Sequence, residues 1–293
     1  MKPPNWYLTI LFVPIRRKHS REIPSALIVA REALIWQSLS SADIKPKESN
    51  AMTSNATPEY LALTGILQAR RSIRKFRPEP IDDDTVRLLA DAARFTPAAG
   101  NAQPWDLIIV RDPETKRKFG DIYVEQLRQK NRLEMTRDAD IRFFGDQPPE
   151  PKAGFVDAGL LIVVIGDPRL IDAYPLRTKI DKGAQHIVSS LANIVVTLHY
   201  TAAALGLGSQ YLSDTGSPEM EIMLRDLLGF PEPLRAYETV CIGHADTKPS
   251  SRFVKETDEI VHFERFDQSR SKTDAEIRQF IIDKLRPSFK KVL

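Results

Sequence analysis

The sequence predicts a sheet sandwiched by helices, of mixed α+β or α/β class. Three observations carry this: helix starts that contain their own caps, short apolar runs closed by turn residues, and the alternation of the two along the chain. The 293 residues are 42% hydrophobic and 28% charged, enough for one large domain or two small ones.

Thr57-Pro58-Glu59, Asp112-Pro113-Glu114 and Ser217-Pro218-Glu219 share one logic. The first residue caps an orphan amide, proline follows where its missing N–H costs nothing, and the acid complements the helix dipole. Asp82-Asp83-Asp84 opens a further helix, with Val86, Leu89, Ala90 and Ala93 on one face. A long helix is expected over 183–205, ending at Gly206 as a glycine cap would have it. Strands are expected at 106–110, 160–165 and 236–242, each bounded by turn or helix-start residues. The tail 265–293 is highly charged and holds one amphipathic helix near 274–285.

Residues 1–55 are poorly patterned and read as an N-terminal extension, with Met52 an alternative start. The main domain is expected over 56–264. The apolar run Trp6 to Val13 is too short to span a bilayer, and basic residues follow it instead of preceding it. The uncharged stretch 183–213 carries His186, Ser189, Ser190, Asn193, Thr197, His199 and Thr201. That is too polar for lipid and suits a helix buried in protein, so no membrane partner is expected. With a net charge of +3 and evenly mixed signs, the composition argues for no nucleic-acid partner. The one cysteine, Cys241, lies in an apparent strand and reads as core. A cytoplasmic setting fits this cysteine usage. Dinucleotide, phosphate-loop, nucleophile-elbow and zinc motifs are absent, and the five histidines are scattered, so no metal is expected.

Four segments carry chemistry. Arg70-Arg71-Ser72-Ile73-Arg74-Lys75-Phe76-Arg77 holds five basic residues in eight positions. Guanidinium forks pair with phosphate oxygens and serine adds a neutral donor, although a helix end also attracts basic residues. Thr96 to Trp105 is a loop whose small residues, Ala98, Ala99 and Gly100, admit close approach, while Asn101 and Gln103 offer donors and acceptors to a heterocycle edge. Leu205 to Ser213 follows the long helix, and Gly243 to Arg252 is a polar loop containing Lys248 and Arg252.

In this order and spacing, the four segments resemble the nitroreductase family of flavoproteins, over roughly residues 60–263. The resemblance implies a homodimeric α+β fold, its central mixed or antiparallel sheet flanked by helices, with the long helix at the dimer interface and FMN bound between subunits. It implies cofactor contacts from Arg70, Arg71, Ser72 and Ile73 at the phosphate and ribityl end, and from Arg74 near the flavin N1. It further implies contacts from Ala98, Ala99, Asn101 and Gln103 of the partner's loop, from Tyr211, Leu212 and Ser213 beside the ring, and from Arg252 with Lys248 at the phosphate. No protein acid or base is required, because the flavin carries the chemistry. Ala98 departs from the family's usual serine, and Asp106 follows Trp105 where histidine or glutamate is common.

The activity implied is ping-pong: NADH or NADPH reduces FMN, which then reduces a small electron-poor acceptor such as a nitroaromatic, quinone or activated alkene. Two alternatives stay open at this stage. Relatives on the same fold dehalogenate iodotyrosine or fragment flavin, and the basic and acidic residues of 120–153 would suit a lid that recognises a zwitterion. A non-catalytic phosphate- or nucleic-acid-binding module would need aromatic residues interleaved with the charges, and Phe76 alone does not supply them.

Overall fold

Seven consecutive buried residues, Leu160–Gly166, form β2 and set the plan of the fold. A strand that is apolar at every position needs cover on both faces. The computed structural model, which describes residues 56–249 and 252–286, provides it. Expectations about 1–55 and the last residues of the tail lie outside that range.

β1 (Trp105–Val110) and β4 (Arg235–Gly243) flank β2, and β3 (Gly208–Leu212) lies beyond β4. The order is β1-β2-β4-β3, and every pairing is antiparallel. On one face Leu161, Val163, Ile165 and Cys241 pack on Phe119, Phe155, Met220 and Leu224. Phe119 belongs to α3 (Pro113–Glu134), and Met220 and Leu224 to α5 (Pro218–Leu228). On the other face Leu160, Ile162, Val164, Val240 and Ile242 meet Leu89 and Ala93 of α2 (Asp83–Ala93) and Ile187, Leu191, Ile194 and Leu198 of α4 (Leu176–Ala204). Each of these fully buried side chains contributes on the order of 2 kcal/mol of transfer free energy. The result is an α+β sandwich. Cys241 is completely buried within it, and burial holds its thiol well above its ordinary pKa.

The helix starts follow their caps. Thr57, Asp82 and Asp112 accept hydrogen bonds from the amides of Tyr60, Thr85 and Thr115 at 3.3, 2.7 and 2.8 Å. The first of these opens α1 (Pro58–Ala69). Ser217 departs from the expectation: its hydroxyl donates backward to the Asp214 carbonyl at 2.7 Å and caps nothing.

Two elements differ from the sequence expectation. α4 starts at Leu176, earlier than the expected 183, because its first turns are charged and solvent-facing and so lack apolar periodicity; Arg177 pairs with Asp181 and Lys179 with Asp172. Segment 205–213 contains an edge strand, β3, which was not expected, since Gly-Ser-Gln-Tyr-Leu is too polar to announce one.

Beyond β4 the chain forms α6 (Thr257–Ile260) and α7 (Asp274–Phe280), and α7 runs on through the wider turn Ile281–Leu285. Arg278 donates to Asp138 and Asp140 at 3.1 and 2.8 Å. Arg286 donates to the Ile141 carbonyl at 2.7 Å and lies 4.0 Å over the Phe143 ring. The tail is therefore docked on the segment that follows α3.

Candidate functional site

The arginine cluster begins at a helix end, as expected, with Arg70 as the C-terminal cap of α1, but the rest of it is extended. α1 stops at Ala69, and residues 70–77 run along the edge of the sheet. Ser72 forms a parallel bridge with Ser209 of β3, and the Ile73 amide donates to the Ser209 carbonyl at 2.9 Å. Phe76 bridges Ala245, and the Arg77 amide donates to the His244 carbonyl at 2.9 Å. Ile73 and Phe76 turn into the core, 6% and 5% exposed, so the Ile73 side chain is a packing group and only its backbone is left to face a ligand. Two glycines allow this close approach. A Cβ on Gly208 would stand 2.8 Å from Ile73 Cγ1, and one on Gly154 would stand 2.8 Å from the Arg74 carbonyl.

Arg70, Arg71, Ser72 and Arg74 are left facing outward. Burial, then the charge of Arg252, lowers the pKa of both Arg70 and Arg71, and Arg70 adds to the effect on Arg71. Two neighbouring guanidiniums and a third from far along the chain thus converge and repel one another. Arg252 also donates to the Leu67 carbonyl at 3.2 Å. A like-charge cluster of this kind is relieved by a bound anion, and its planar donors match phosphate. Lys248 stands exposed on the same loop, which is tied to the cluster where the Asp246 amide donates to the Lys75 carbonyl at 3.0 Å. Arg74 lies apart from this group. Burial lowers its pKa, and the charged group acting on it is the Tyr123 phenol, itself pushed up to about 12 by burial first and then by Asp214.

The loop before β1 is held by the polar residues of α4. Ser190 Oγ accepts from the Ala99 amide at 3.1 Å, Asn193 donates to the Pro97 carbonyl at 3.0 Å, and Thr96 and Thr197 pair at 2.9 Å. Gly100, Asn101 and Gln103 all take positive φ, of 57°, 53° and 45°. Two non-glycine residues in that region mark stored strain, which concentrates where a backbone must present a particular edge. Asn101 and Gln103 are both exposed, and Gln103 Nε2 donates to Asn101 Oδ1 at 3.2 Å.

At the end of β3, the Leu212 side chain is buried in the core while Tyr211 is 41% exposed. The Tyr211 ring stacks on His199, with centroids 5.9 Å apart. His199 Nδ1 lies 2.7 Å from Ser209 Oγ, and burial, aided by Arg70, lowers the imidazole pKa to about 4. Ser213 is exposed at the start of the following turn, and Lys130 of α3 reaches the next residue, Asp214, at 2.6 Å. Arg70 and Arg71 thus share one neighbourhood with Arg252, and Arg74 another with Tyr123, which Asp214 also influences.

The sequence model of the Nitroreductase family matches residues 67–244. The chain belongs to the nitroreductase family. It is 30% identical over 179 residues to an Archaeoglobus fulgidus protein assigned provisionally as an NADH dehydrogenase/NAD(P)H nitroreductase, covering 61% of this chain and 83% of that one. Among solved structures it is similar to nitroreductase CinD of Lactococcus lactis, with a TM-score of 0.56 and 18% identity over 69% of this chain and 99% of that one. It is also similar to the NADPH:FMN oxidoreductase of Vibrio harveyi, with a TM-score of 0.55 and 17% identity over 78% and 86%. The two structural likenesses establish the shared fold. Membership of this nitroreductase family makes an oxidoreductase the function to test.

Sequence reasoning missed His199, which stacks on Tyr211, and Tyr123, whose phenol acts on Arg74. The polar residues scattered through 183–213 were the available signal: they kept α4 out of a membrane reading, and they are the groups that anchor the loop.

Proposed function

We propose that this nitroreductase-family protein is an FMN-dependent oxidoreductase that uses NADH or NADPH to reduce small electron-poor acceptors. The observation that carries the reading is the convergence of Arg70, Arg71 and Arg252 beside Ser72, a donor set suited to the FMN phosphate. When bound, FMN supplies the two-electron chemistry, taking a hydride from the nicotinamide and delivering it to a nitroaromatic, quinone or activated alkene. The chain's own residues bind and tune. Arg74 holds a positive charge at the redox end, where it favours a reduced, anionic ring. Asn101 and Gln103 offer amide edges, and the backbone of 211–213 forms the side wall.

We propose a homodimer as the working state. α1 has no buried residue although Tyr60, Leu61 and Leu63 are apolar, and Leu176, Ile180, Val188 and Val196 are exposed along α4. Apolar surface of this extent needs cover, and a second copy would also bring the 98–103 loop of one subunit to the arginines of the other. The cytoplasmic setting goes with the NAD(P)H donor. In the segment after β1, Arg128 pairs with Glu125 and Glu150, Lys130 with Asp214 and Arg137 with Glu134, so these charges are engaged within the chain. That favours a neutral aromatic acceptor over a zwitterion.

The test is direct. Purified protein should be yellow, or become so on adding FMN, with one flavin per chain. It should then oxidise NADH or NADPH with menadione or nitrofurazone faster than with halotyrosines. Protein that gains no flavin absorbance overturns the reading.

A further inference from the structure

Glu238 is 8% exposed, and its Oε2 has no hydrogen-bond partner among the described residues. It lies on the face of β4 that Val240 and Ile242 turn toward α4. Tyr211 pairs with Val240 across the ladder, so its ring shares that face, on the diagonal from Glu238. Burial first, and then the neighbouring Glu238 carboxyl, raises the pKa of the Tyr211 phenol. A buried acid thus has, as its neighbour, a partly exposed phenol on the segment assigned to the side of the flavin ring.

The groups that face Glu238 come from several elements. Tyr211 is on β3, Tyr237 is its neighbour on β4, and Asp214 is on the turn after β3, paired with Lys130 of α3. Val164 lies opposite on β2, and His199 of α4 stacks on the Tyr211 ring. Among the described residues, the charged group acting on Glu238 is Asp214, an anion. A buried carboxylate without a cation is costly, so the proton is retained. Burial pushes the Glu238 pKa up to about 7, with the Tyr211 phenol opposing and Asp214 assisting.

We propose that Glu238 is a positioning residue which, through Tyr211, makes the electron affinity of the bound flavin depend on a proton held by the protein. The inference rests on the FMN reading above. No bond to the cofactor forms or breaks. Glu238 releases a proton to solvent as pH rises, and the negative charge it leaves behind the 211–213 segment disfavours the reduced, anionic ring.

The experiment measures the midpoint potential of the FMN-loaded protein between about pH 5.5 and 8.5, for wild type, Glu238→Gln and Tyr211→Phe. Wild type should show an added downward inflection near neutral pH. Glu238→Gln should lose it, and Tyr211→Phe should move it to higher pH, because the phenol that favours the carboxylate is gone. Infrared spectra of flavin-free protein give an independent readout: a protonated-carboxyl band present at acid pH, lost above neutrality and absent in Glu238→Gln. Superimposable potential profiles for wild type and Glu238→Gln overturn the inference and leave the FMN reading intact, as does a missing infrared band. Failure to bind FMN at all overturns both.

Discussion

Replacing Arg252 with alanine should move ligand affinity and stability of the empty protein in different directions. The guanidinium lies close enough to Arg70 and Arg71 to lower the pKa of both, and its one hydrogen bond within the described residues is to the Leu67 carbonyl at 3.2 Å, on an exposed side chain. Removing it therefore relieves like-charge repulsion at the loss of a solvent-exposed contact. Effects between exposed charges run to about 1 kcal/mol or less, so the melting temperature of flavin-free protein should hold or rise slightly. Toward a phosphate, the same side chain provides charge-assisted hydrogen bonds of about 1.5–3 kcal/mol, which is a loss of about 10- to 100-fold in FMN affinity. FMN titration followed by quenching of flavin fluorescence reads the affinity, and differential scanning fluorimetry reads the stability. Salt provides a control: wild-type affinity should fall with ionic strength more steeply than that of the variant. An affinity within twofold of wild type, or a marked drop in flavin-free melting temperature, would show that Arg252 is a structural surface charge and refute the phosphate assignment.

Gly208→Ala places a Cβ 2.8 Å from Ile73 Cγ1 and 3.1 Å from its Cβ, neither of which is a flexible chain end. It should destabilise the protein by about 1–3 kcal/mol in urea melts and weaken FMN binding by displacing the 70–74 segment; unchanged values for both would contradict the packing account. Gln103→Gly relieves a left-handed backbone (φ 45°) but adds chain entropy to the unfolded state, so stability should stay within about 1 kcal/mol while the visible spectrum of bound flavin changes. His199 has a folded pKa near 4 against an ordinary 6.5, so the stability tied to its neutral ring is present above about pH 6.5 and is lost as pH falls toward 4, by up to about 3 kcal/mol. His199→Gln should flatten that acid limb in chemical denaturation at a series of pH values. Glu238, raised from 4.5 to about 7, has the opposite sign, its contribution being lost as pH rises through that window, so the His199 variant should expose a slope that declines toward neutrality.

The parts of the fold legible in the sequence were those decided locally. A cap is chemistry within four residues, so Thr57, Asp82, Asp112 and Ser217 all announced their helices correctly, although the Ser217 hydroxyl turns backward to Asp214. β2 was legible because both faces are covered and every residue is apolar. β3 was not, because an edge strand beside a polar site keeps Ser209, Gln210 and Tyr211. The start of α4 was hidden by charged turns that face solvent. For the site, the residue types and their order were readable, but their convergence was not. Arg252 meets Arg70 only through the return of the chain after β4, and the pairing of Ser190 and Asn193 with the 97–99 loop requires α4 to lie against it.

The arginine run also answers a problem posed by the sheet. β3 is an edge strand, and an open edge is a template for unwanted pairing. Segment 70–77 covers it with one parallel bridge at Ser72 and one amide at Ile73, and then crosses to the end of β4 at Phe76. A segment with that task must be extended, must turn apolar residues inward at the places where it crosses the core, and is best left charged on its outer side. Edge protection alone would therefore select a basic, alternating stretch much like this one, which is why the run by itself does not identify a ligand site. Edge protection does not require the outward charges to gather. Repulsion should spread them, yet Arg70, Arg71 and Arg252 are held together, one of the three carried by a loop far along the chain. Energy spent on concentrating like charge is explained by an anion that the cluster binds, and the chain's place in the nitroreductase family makes the phosphate of FMN the anion to test first.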